Sequence, residues 1–252
     1  YFTANMQKVR ELKLQLEDRR AQLQNDLMEA GAARKAVEDE LEKLRQELQS
    51  LRSRRTNIES RVVALRKRLT DALGMDEDEI PFAGELIEVR QEEKAWEGAA
   101  ERLLRNFGLS LLVPDKYYKK ISDWVDSSDL RGRLVYFRVR ETAAGRPPVL
   151  AANSLISKLA LKEDSPLYHW LLGELSARFD FACCGSMDEF RREPRAVTQN
   201  GQIKTGDKRH EKDDRFSITD RSRYILGWNN REKIALLVRE ETVLAQEAAR
   251  HP

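Results

Sequence analysis

Residues 41–69 read LEKLRQELQSLRSRRTNIESRVVALRKRL, and apolar side chains recur in them at alternating intervals of three and four residues. The apolar positions that carry this spacing are Leu41, Leu44, Leu48, Leu51, Ile58, Val62, Leu65 and Leu69. An average step of 3.5 residues keeps a seam on one side of a helix only when that helix winds around a partner. The stretch therefore predicts the seam of a coiled coil.

The same spacing extends in both directions, from Met6 to Ala72. Sixteen of its 20 positions are apolar, and residues 3–75 contain no aromatic residue and no proline. A single amphipathic helix on a domain surface is the alternative, but nearly ten heptads exceed an ordinary globular helix. We therefore expect a coiled-coil arm over residues 1–75, with its helix ended by Gly74.

The composition excludes several classes of protein. The 252 residues include 45 Lys and Arg against 43 Asp and Glu, so the net charge is only +2 and any basic surface must be local. No apolar run approaches the ~18 residues of a membrane span, and no signal-type stretch opens the sequence. We expect neither a membrane-embedded nor a secreted protein. The adjacent Cys183 and Cys184 form no disulfide framework, which favours a reducing, cytoplasmic setting.

Beyond an acidic connector at residues 76–81, the pattern changes from a coil to short apolar segments. The predicted order is strand 85–89, helix 92–107, strand 109–113, a helix beginning at Asp115, and strand 134–139. Short connections and right-handed crossovers would make these strands a small parallel sheet. We assign residues 76–150 to a first half-domain, which ends in a linker around Gly145 and Pro147.

The order of elements then repeats. The second set is strand 155–161, helix 165–179, strand 181–184, helix 187–192 and strand 195–198. Val89 corresponds to Leu161 and Leu111 to Ala182, so the residue numbers differ by 72 in the first pair and by 71 in the second. Nearly constant offsets predict two similar half-domains in tandem, the second over residues 151–230.

The end of the sequence returns to a coil. A core strand is predicted at 224–228, followed by a returning helix over 231–252. The seam of this helix contains Ile234, Leu237 and Leu244. Antiparallel pairing would place Val62 opposite residues 241–243. It would leave residues 6–51 to be covered by a second copy or by a continuation of the chain.

Several stretches resemble the hinge domain of SMC proteins. After the coil, FAGELIEVRQEEKAWEGAAERLL (82–104) and LRGRLVYFRV (130–139) resemble its first half. Three later stretches resemble the second half of that hinge domain, namely SLISKLALKEDSPLYHWLLGEL (154–175), FDFACC and AVTQNGQIKTG (196–206). The last stretch, RYILGWNNREKIALL (223–237), resembles MukB/MksB-like condensins, particularly the JetC subunit of Wadjet plasmid-defence systems.

This resemblance implies an α+β fold, an SMC-hinge-like globular domain of two tandem β-α-β-α-β half-domains inserted in an antiparallel coiled coil. It implies the homodimerisation hinge of a condensin-like, DNA-handling ATPase that acts in DNA loop extrusion, chromosome organisation or plasmid defence. ATP, Mg²⁺ and kleisin-type partners are expected only at head domains outside these residues. The resemblance also implies that the protein is located at the nucleoid or on a plasmid. Typical hinges end in paired glycines. Here only Gly201 and Gly206 stand in that region, and they are candidate dimer contacts.

Basic residues form two candidate DNA-binding clusters. They are Lys119, Lys120, Arg131 and Arg133 in the first half, and Lys204, Lys208 and Arg209 in the second. Such clusters bind phosphates without reading base sequence, so we expect weak binding to DNA without sequence preference. Residues 204–215 are nearly all charged or turn-forming and are predicted to be an exposed loop. Because acids are interspersed there, an ordinary solvated loop is an equal alternative.

The competing class is an enzyme, a small α/β metal-dependent hydrolase or nuclease inserted in a coil. Its candidate carboxylates are Asp115 and Asp188, which follow predicted strands. Residues 201–208 (GQIKTGDK) depart from a phosphate-binding P-loop, because Asp207 stands where the motif needs lysine. We therefore predict no catalytic, cofactor or metal site within these residues.

Overall fold

A computed structural model of the chain describes residues 2–141 and 148–250, with side chains from Met6 onward. Residues 142–147 of the predicted linker lie outside the described residues. The helices are α1 (Phe2–Ser53), α2 (Ser60–Leu73), α3 (Glu97–Gly108), α4 (Asp115–Ser127), α5 (Tyr168–Arg178), α6 (Met187–Arg192) and α7 (Arg231–Arg250). The strands are β1 (Ile87–Val89), β2 (Leu111–Pro114), β3 (Tyr136–Val139), β4 (Leu159–Leu161), β5 (Ala182–Cys184), β6 (Arg195–Thr198), β7 (Ile203–Thr205) and β8 (Arg209–Glu211).

The chain forms two compact units. The arm unit contains the described residues up to Gln49 and those from Leu237 onward, and the globular unit is Ser50–Leu236. Among the described helices, none is both long and apolar enough to cross a bilayer.

In the arm unit, α1 pairs with α7 in a register that corrects the sequence prediction. The Arg45 guanidinium lies 2.9 Å from the Glu241 carboxylate. Position 241 therefore faces position 45 instead of position 62, several helical turns nearer the N-terminus than predicted. Leu41 and Leu48 are buried in this part of α1, whereas residues 6–36 are exposed. The part of α1 whose apolar seam is not packed against α7 is thus shorter than the predicted 6–51.

The outgoing helix does not run unbroken to Gly74, because α1 ends at Ser53 and α2 begins at Ser60. The side-chain amide of Asn230 donates to the Leu51 and Arg54 carbonyls, each at 2.7 Å, and so satisfies acceptors that the helix end leaves free. The predicted seam residues beyond the break, Ile58, Val62, Leu65 and Leu69, therefore belong to the globular unit instead of the coil. Ile58 and Leu69 are fully buried in its core.

Helix α2 ends as predicted, at Gly74. This glycine has φ 62° and ψ 43°, the left-handed conformation that glycine adopts at low cost, and its N–H donates to the Thr70 carbonyl.

The predicted repeat is confirmed by the strand connections. In the first half, residues 81–83 pair with 110–112, and β2 pairs with β3 in parallel. In the second half, residues 153–155 pair with 181–183, and β5 pairs with β6 in parallel. Each half therefore contains a short leading segment, a central strand and a parallel third strand. The fold is α+β, with two tandem half-domains inserted between the helices of a coil.

Strand β1 corrects the expectation of one parallel sheet in each half. It pairs antiparallel with β4 of the other half, with Glu88 opposite Ala160 at the centre. The offset between these two positions is that of the repeat, so equivalent strands meet around a local two-fold axis. The reason is that residues 81–83 already occupy the edge of β2 that β1 would otherwise use.

The second half carries an extension that the first half lacks. Strands β6, β7 and β8 form an antiparallel ribbon that continues the sheet in the order β5-β6-β7-β8. The charged residues 204–215, predicted as a loop, therefore supply part of a hairpin. The charged β8 can form the outer strand of this ribbon because all three of its residues are exposed to solvent.

Both halves contribute to one apolar core. Phe82 and Leu112 from the first half and Leu155 and Leu175 from the second are fully buried in it, together with Leu69 of α2. The core explains why α2 belongs to the globular unit, since its apolar face is covered there.

Candidate functional site

The sheet of the first half ends in a strand with an open edge. The Leu111 N–H donates to the Val135 carbonyl, with N and O 2.9 Å apart, on the inner side of β3. Backbone groups of alternate residues point to the same side of a parallel strand, so Tyr136 and Arg138 direct theirs outward. Within residues 2–141 and 148–250, no strand pairs with that outer edge.

The sheet of the second half also ends in an open edge. Strand β8 pairs with β7 through Glu211 opposite Ile203 and Arg209 opposite Thr205. No further strand follows β8 in the described part of the chain. The β2–β3 sheet of the first half and the β5–β8 sheet of the second therefore each end in an unpaired strand, and such edges readily accept a strand from another chain.

The two glycines predicted as dimer contacts have different surroundings. Gly201 is buried, and a Cβ there would lie 2.7 Å from Ile218 Cδ1 and 3.1 Å from Arg102 Cδ. It is covered by its own chain, so the prediction that it contacts a partner is corrected. Gly206 is exposed in the turn that leads into β8, with φ +67° and no atom within 4 Å of a Cβ position. It therefore lies beside the open edge of the second half.

Arg102, which was not predicted from the sequence, fixes the segment that lies over Gly201. Its guanidinium donates to the Phe216 carbonyl at 2.9 Å and to the Asp213 carbonyl. These bonds tie the segment after β8 to α3. The sequence contains no local signal for this role, because the partners lie in the other half of the globular unit.

The candidate DNA-binding residues fall into three groups. Lys204 is buried and donates to the Arg191 carbonyl at 2.7 Å, so it cannot reach a phosphate and its assignment is corrected. Three exposed residues form ion pairs with neighbouring acids, namely Lys119 with Asp123, Arg131 with Asp129 and Arg209 with Glu211. The other three, Lys120, Arg133 and Lys208, are exposed and form no ion pair among the described residues.

The segment 223–229, called here the return segment, was predicted to contain a strand but has none. From Ile225 to Trp228, three of the four backbone N–H groups are bound by carboxylates. Glu101 accepts bonds from the N–H groups of Ile225 and Leu226 at 2.8 to 3.1 Å, and Glu88 accepts one from Trp228 at 3.2 Å. Side chains thus replace the neighbouring strand, which is why periodicity alone misassigned this segment.

Burial sets the protonation of both carboxylates. Glu101 is 6% exposed, and this desolvation raises its pKa to about 7, against the lowering effect of the N–H groups of Ile225 and Leu226. Desolvation likewise raises the pKa of Glu88, opposed by its bond from Trp228. The sequence held one signal for Glu101, a charged residue three positions before Leu104 on the buried face of α3.

Three polar side chains join the outgoing and returning parts of the chain, and we call Asn57, Asn230 and Lys233 the neck. The Asn57 amide donates to the carbonyls of Leu226 and Asn229, at 2.8 and 3.2 Å. The buried Lys233 ammonium donates to the Asn57 carbonyl at 2.8 Å. Together with the Asn230 bonds to the end of α1, these contacts hold residues 51–57 beside the start of α7.

The carboxylates of the competing enzyme class are engaged in ion pairs. A hydrogen bond from Arg138 holds the pKa of Asp115 below its usual range, and Asp188 pairs with Arg191 at 2.8 Å. Burial raises the pKa of Cys183 to about 12, so its thiol is not a nucleophile at neutral pH. Among the described residues, no three His, Cys, Asp or Glu side chains converge on a common point.

Comparison with known proteins identifies similar structures only. Neither the protein-family models nor the curated proteins give a match to this chain. The chain is similar to a Pyrococcus furiosus Smc hinge domain with an extended coiled coil, at 21% identity over 91% of this chain and 82% of that one, with a TM-score of 0.43.

Two further hinge structures are similar. One is the crystal structure of the Pyrococcus furiosus SMC protein hinge domain, at 19% identity over 73% of this chain and 91% of that one, with a TM-score of 0.45. The other is an asymmetric dimer of the Geobacillus stearothermophilus SMC hinge domain, at 16% identity over 89% and 94% of the two chains, with a TM-score of 0.41. Because all three TM-scores lie below 0.5, the proposals below are built on the residues and contacts of this chain.

Proposed function

We propose that this chain is the homodimerisation hinge of an SMC-type protein, with part of its coiled-coil arm. The observation that carries the proposal is the pair of open edges, β3 in the first half and β8 in the second. A surface that is complementary between two halves of one chain closes after two copies. In this dimer, β3 of each protomer pairs with β8 of its partner.

The neck gives this dimer its mechanical role. Asn230 binds the carbonyls of Leu51 and Arg54, so the end of the outgoing helix and the start of the returning helix are held together within the globular unit. A dimer of two such units would join two arms at one point. Arms joined in this way can enclose or grip DNA.

We extend the proposal to a more specific family because the sequence of residues 223–237 resembles that family. This extension assigns the chain to a MukB/MksB-like condensin, particularly the JetC type of Wadjet plasmid defence. ATPase heads and kleisin-type partners would lie outside these residues, and the whole protein would extrude DNA loops or handle plasmids at the nucleoid. The buried Gly201 is a departure from the paired glycines of typical hinges, and it moves the proposed contact towards Gly206.

Dimerisation is tested by the mass of the chain in solution and by one edge variant. Light scattering at micromolar concentration should give about 58 kDa, twice the 29.2 kDa of the chain. Arg138→Pro removes an outward N–H of β3 and leaves the inner bonds to β2 in place, since proline is tolerated at strand edges. We expect it to raise the dimer dissociation constant at least tenfold, because two symmetric interfaces each lose a bond of ~1 kcal/mol.

The matched control is Arg138→Ala, which removes the same side chain and its contact with Asp115 but keeps the N–H. Its dimer dissociation constant should be at least tenfold lower than that of Arg138→Pro. Equal dissociation constants for the two variants would remove β3 from the interface. A monomeric wild-type chain would overturn the hinge proposal itself.

We also propose weak DNA contact through the exposed basic residues. Lys120, Lys208 and Arg209 remain accessible, and replacing all three by Glu should flatten the log-log salt slope on duplex DNA by up to ~2.7. The control Lys43→Glu changes an exposed charge in the arm unit and should leave the slope unaltered. Unchanged affinity and slope in the triple variant would leave these residues as ordinary solvated surface.

A further inference from the structure

We infer that β3 of one protomer runs parallel to β8 of its partner, with Arg138 opposite the partner's Glu211. This inference rests on the proposed hinge function, and it adds the direction of pairing, the register and the charged residues that select them. An open strand edge can accept another strand in either direction, so the choice must come from the side chains that meet.

The backbone of β8 determines which of its residues can bond a partner strand. In the ribbon, the Thr198 N–H donates to the Gln202 carbonyl at 3.0 Å, so the even-numbered residues along β7 face β6. The odd-numbered residues of β7 therefore face β8, where they bond Arg209 and Glu211. The N–H and carbonyl of His210 point away from β7. On β8, as on β3, the even-numbered residues thus direct their backbone groups to the open edge.

Antiparallel pairing of these edges would bring positive charges together. In an antiparallel ladder, two residues that point their backbone groups at each other's strand lie directly opposite. Arg138 would then face an even-numbered residue, which is Lys208, His210 or Lys212. None of these side chains is negative, and like charges directly opposite each other destabilise a sheet.

Parallel pairing places Arg138 opposite an odd-numbered residue. In a parallel ladder a residue bonds the neighbours of the residue that it faces, as the structure shows for Leu111, which lies opposite Tyr136 but donates to the Val135 carbonyl. The odd-numbered candidates in the partner are Arg209, Glu211 and Asp213.

Charge and overlap together select Glu211 from these candidates. Arg209 opposite Arg138 would repeat the repulsion of the antiparallel registers. Asp213 opposite Arg138 would leave two of the three β8 residues before the start of β3. With Glu211 in this position, all of β8 lies alongside β3 and the facing charges are opposite.

The selected register completes an alternating row of charges on one face of the joined sheet. The Arg138 guanidinium binds Asp115 and lies 4.3 Å from the centroid of the Tyr118 ring, so it is already held in place. In the same way, Glu211 lies 2.5 Å from Arg209 of its own strand. Joining the two strands would therefore place the positive Arg138 between two carboxylates and the negative Glu211 between two guanidinium groups.

Aromatic side chains support the remaining positions of this register. Arg209 would lie opposite the half-buried Tyr136, whose ring can stack with a guanidinium group. On the other face, His210 would lie opposite Phe137, whose ring centroid is 6.1 Å from that of Trp170. Aromatic pairs across neighbouring strands stabilise a sheet. Each residue of β8 thus meets a side chain of suitable chemistry.

Cysteine crosslinking between protomers tests the register in the complete chain. Neighbouring strands lie about 4.8 Å apart, so the Cα atoms of directly opposite residues are within reach of a disulfide. The double variant Arg138→Cys with Glu211→Cys should therefore form a covalent dimer on mild oxidation, visible on a non-reducing gel. The matched control, Arg138→Cys with His210→Cys, places its thiols on opposite faces of the joined sheet and should link at least about tenfold more slowly. The single variants report any linkage through the buried native cysteines.

Each outcome of the crosslinking decides the register. Faster linkage of the control pair would show antiparallel strands and overturn the inference, while the proposed dimer would stand. No covalent dimer from either double variant, although the reduced proteins have a mass of about 58 kDa, would likewise overturn the register. A monomeric wild-type chain would count against the hinge proposal itself, so the two failures can be told apart.

A double-variant cycle tests the contact between the two charges. Glu211→Gln should raise the dimer dissociation constant about fivefold, because both symmetric interfaces lose an exposed ion pair. In the Arg138→Ala background, the same change should alter the constant by less than about twofold. The control Glu163→Gln changes an exposed carboxylate outside both strands and should have no such effect in either background. An equal effect of Glu211→Gln in both backgrounds would contradict a contact between Arg138 and Glu211.

Discussion

The two halves of the globular unit begin alike and end differently. Each starts with a segment that pairs antiparallel with a central strand, 81–83 with β2 and 153–155 with β5. The first sheet then stops at β3, whereas the second continues through β7 and β8. The comparison shows how a tandem repeat can acquire two different edges, so that the edge of one half can bind the edge of the other half in a second copy.

Equivalent positions in the halves also carry different chemistry. Phe82 forms the bridge to β2, and its equivalent in the second half, Ser154, forms the bridge to β5. Both are buried, at 0% and 1% exposure. Glu101 of α3 corresponds by the repeat offset to Leu172 of α5, so only the first half presents a carboxylate to the return segment. The predictions below test whether these differences have the energetic weight that the contacts suggest.

The largest effect is expected from Phe82→Ala. The ring is fully buried in the shared core and also packs against the Arg66 guanidinium, 4.8 Å from its centroid. Its removal leaves a cavity and should lower the free energy of unfolding by about 3–5 kcal/mol, measured by urea denaturation. Phe216→Ala, at a ring that is 50% exposed, is the control and should cost well under half as much. A loss below about 1 kcal/mol would show that the first half does not depend on the packing of this ring.

The next effect is the pH dependence of stability that Glu101 causes. Because its folded pKa, about 7, is raised above the 4.5 of the unfolded chain, its contribution is complete below pH 4.5 and is lost as the pH rises to 7. The loss should approach ~3 kcal/mol relative to Glu101→Gln, whose stability carries no such dependence. Parallel denaturation of both proteins from pH 4.5 to 8 measures the difference. A constant gap across this range would show that Glu101 does not change protonation on folding.

Ser154→Ala is expected to have an intermediate effect. The Ser154 hydroxyl donates to the Asp180 carboxylate at 2.6 Å and accepts a bond from the Ile156 N–H at 3.2 Å. Its loss leaves a buried N–H without a partner, at a cost of about 1–3 kcal/mol. The exposed Ser127→Ala should change stability by less than about 0.5 kcal/mol. If Ser154→Ala cost as much as Phe82→Ala, the two side chains would contribute equally to stability and the contrast between the halves would fail.

Local periodicity accounts for what the sequence predicted well. The helices, the repeat offset and the stop at Gly74 all follow from spacing within single segments of the chain, and the structure contains them. The break after Ser53 could not be predicted in this way, because the freed carbonyls are satisfied by Asn230, which is remote in sequence. The apolar seam continues through the break, so the pattern alone favoured one helix and a shifted register.

In the candidate site, too, local sequence features predicted some positions and missed those that depend on distant contacts. Charge and glycine content placed candidate residues in the region around β8, but they could not distinguish the buried Lys204 from the exposed Lys208, since burial depends on how the hairpin pairs. Residues that act through distant backbone groups, such as Glu101 and Arg102, have almost no local signature. Contacts between segments of distant sequence, not the segments' own propensities, decide these roles.

The smallest predicted effect concerns the hairpin that distinguishes the second half. The Lys204 ammonium donates to the carbonyl of Arg191 in the last turn of α6, where a helix leaves acceptors free and a positive charge is favoured. Lys204→Met keeps the buried stem and removes only this bond, so it should lower the free energy of unfolding by about 1 kcal/mol. Lys208→Met removes an equal charge from the exposed turn of the same hairpin and should stay within about 0.5 kcal/mol of the wild type. Since both variants lose one positive charge, the difference in their urea midpoints isolates the bond to α6. Equal midpoints would mean that the hairpin is not anchored by Lys204, and the open edge at β8 would then rest on the β6–β7 ladder alone.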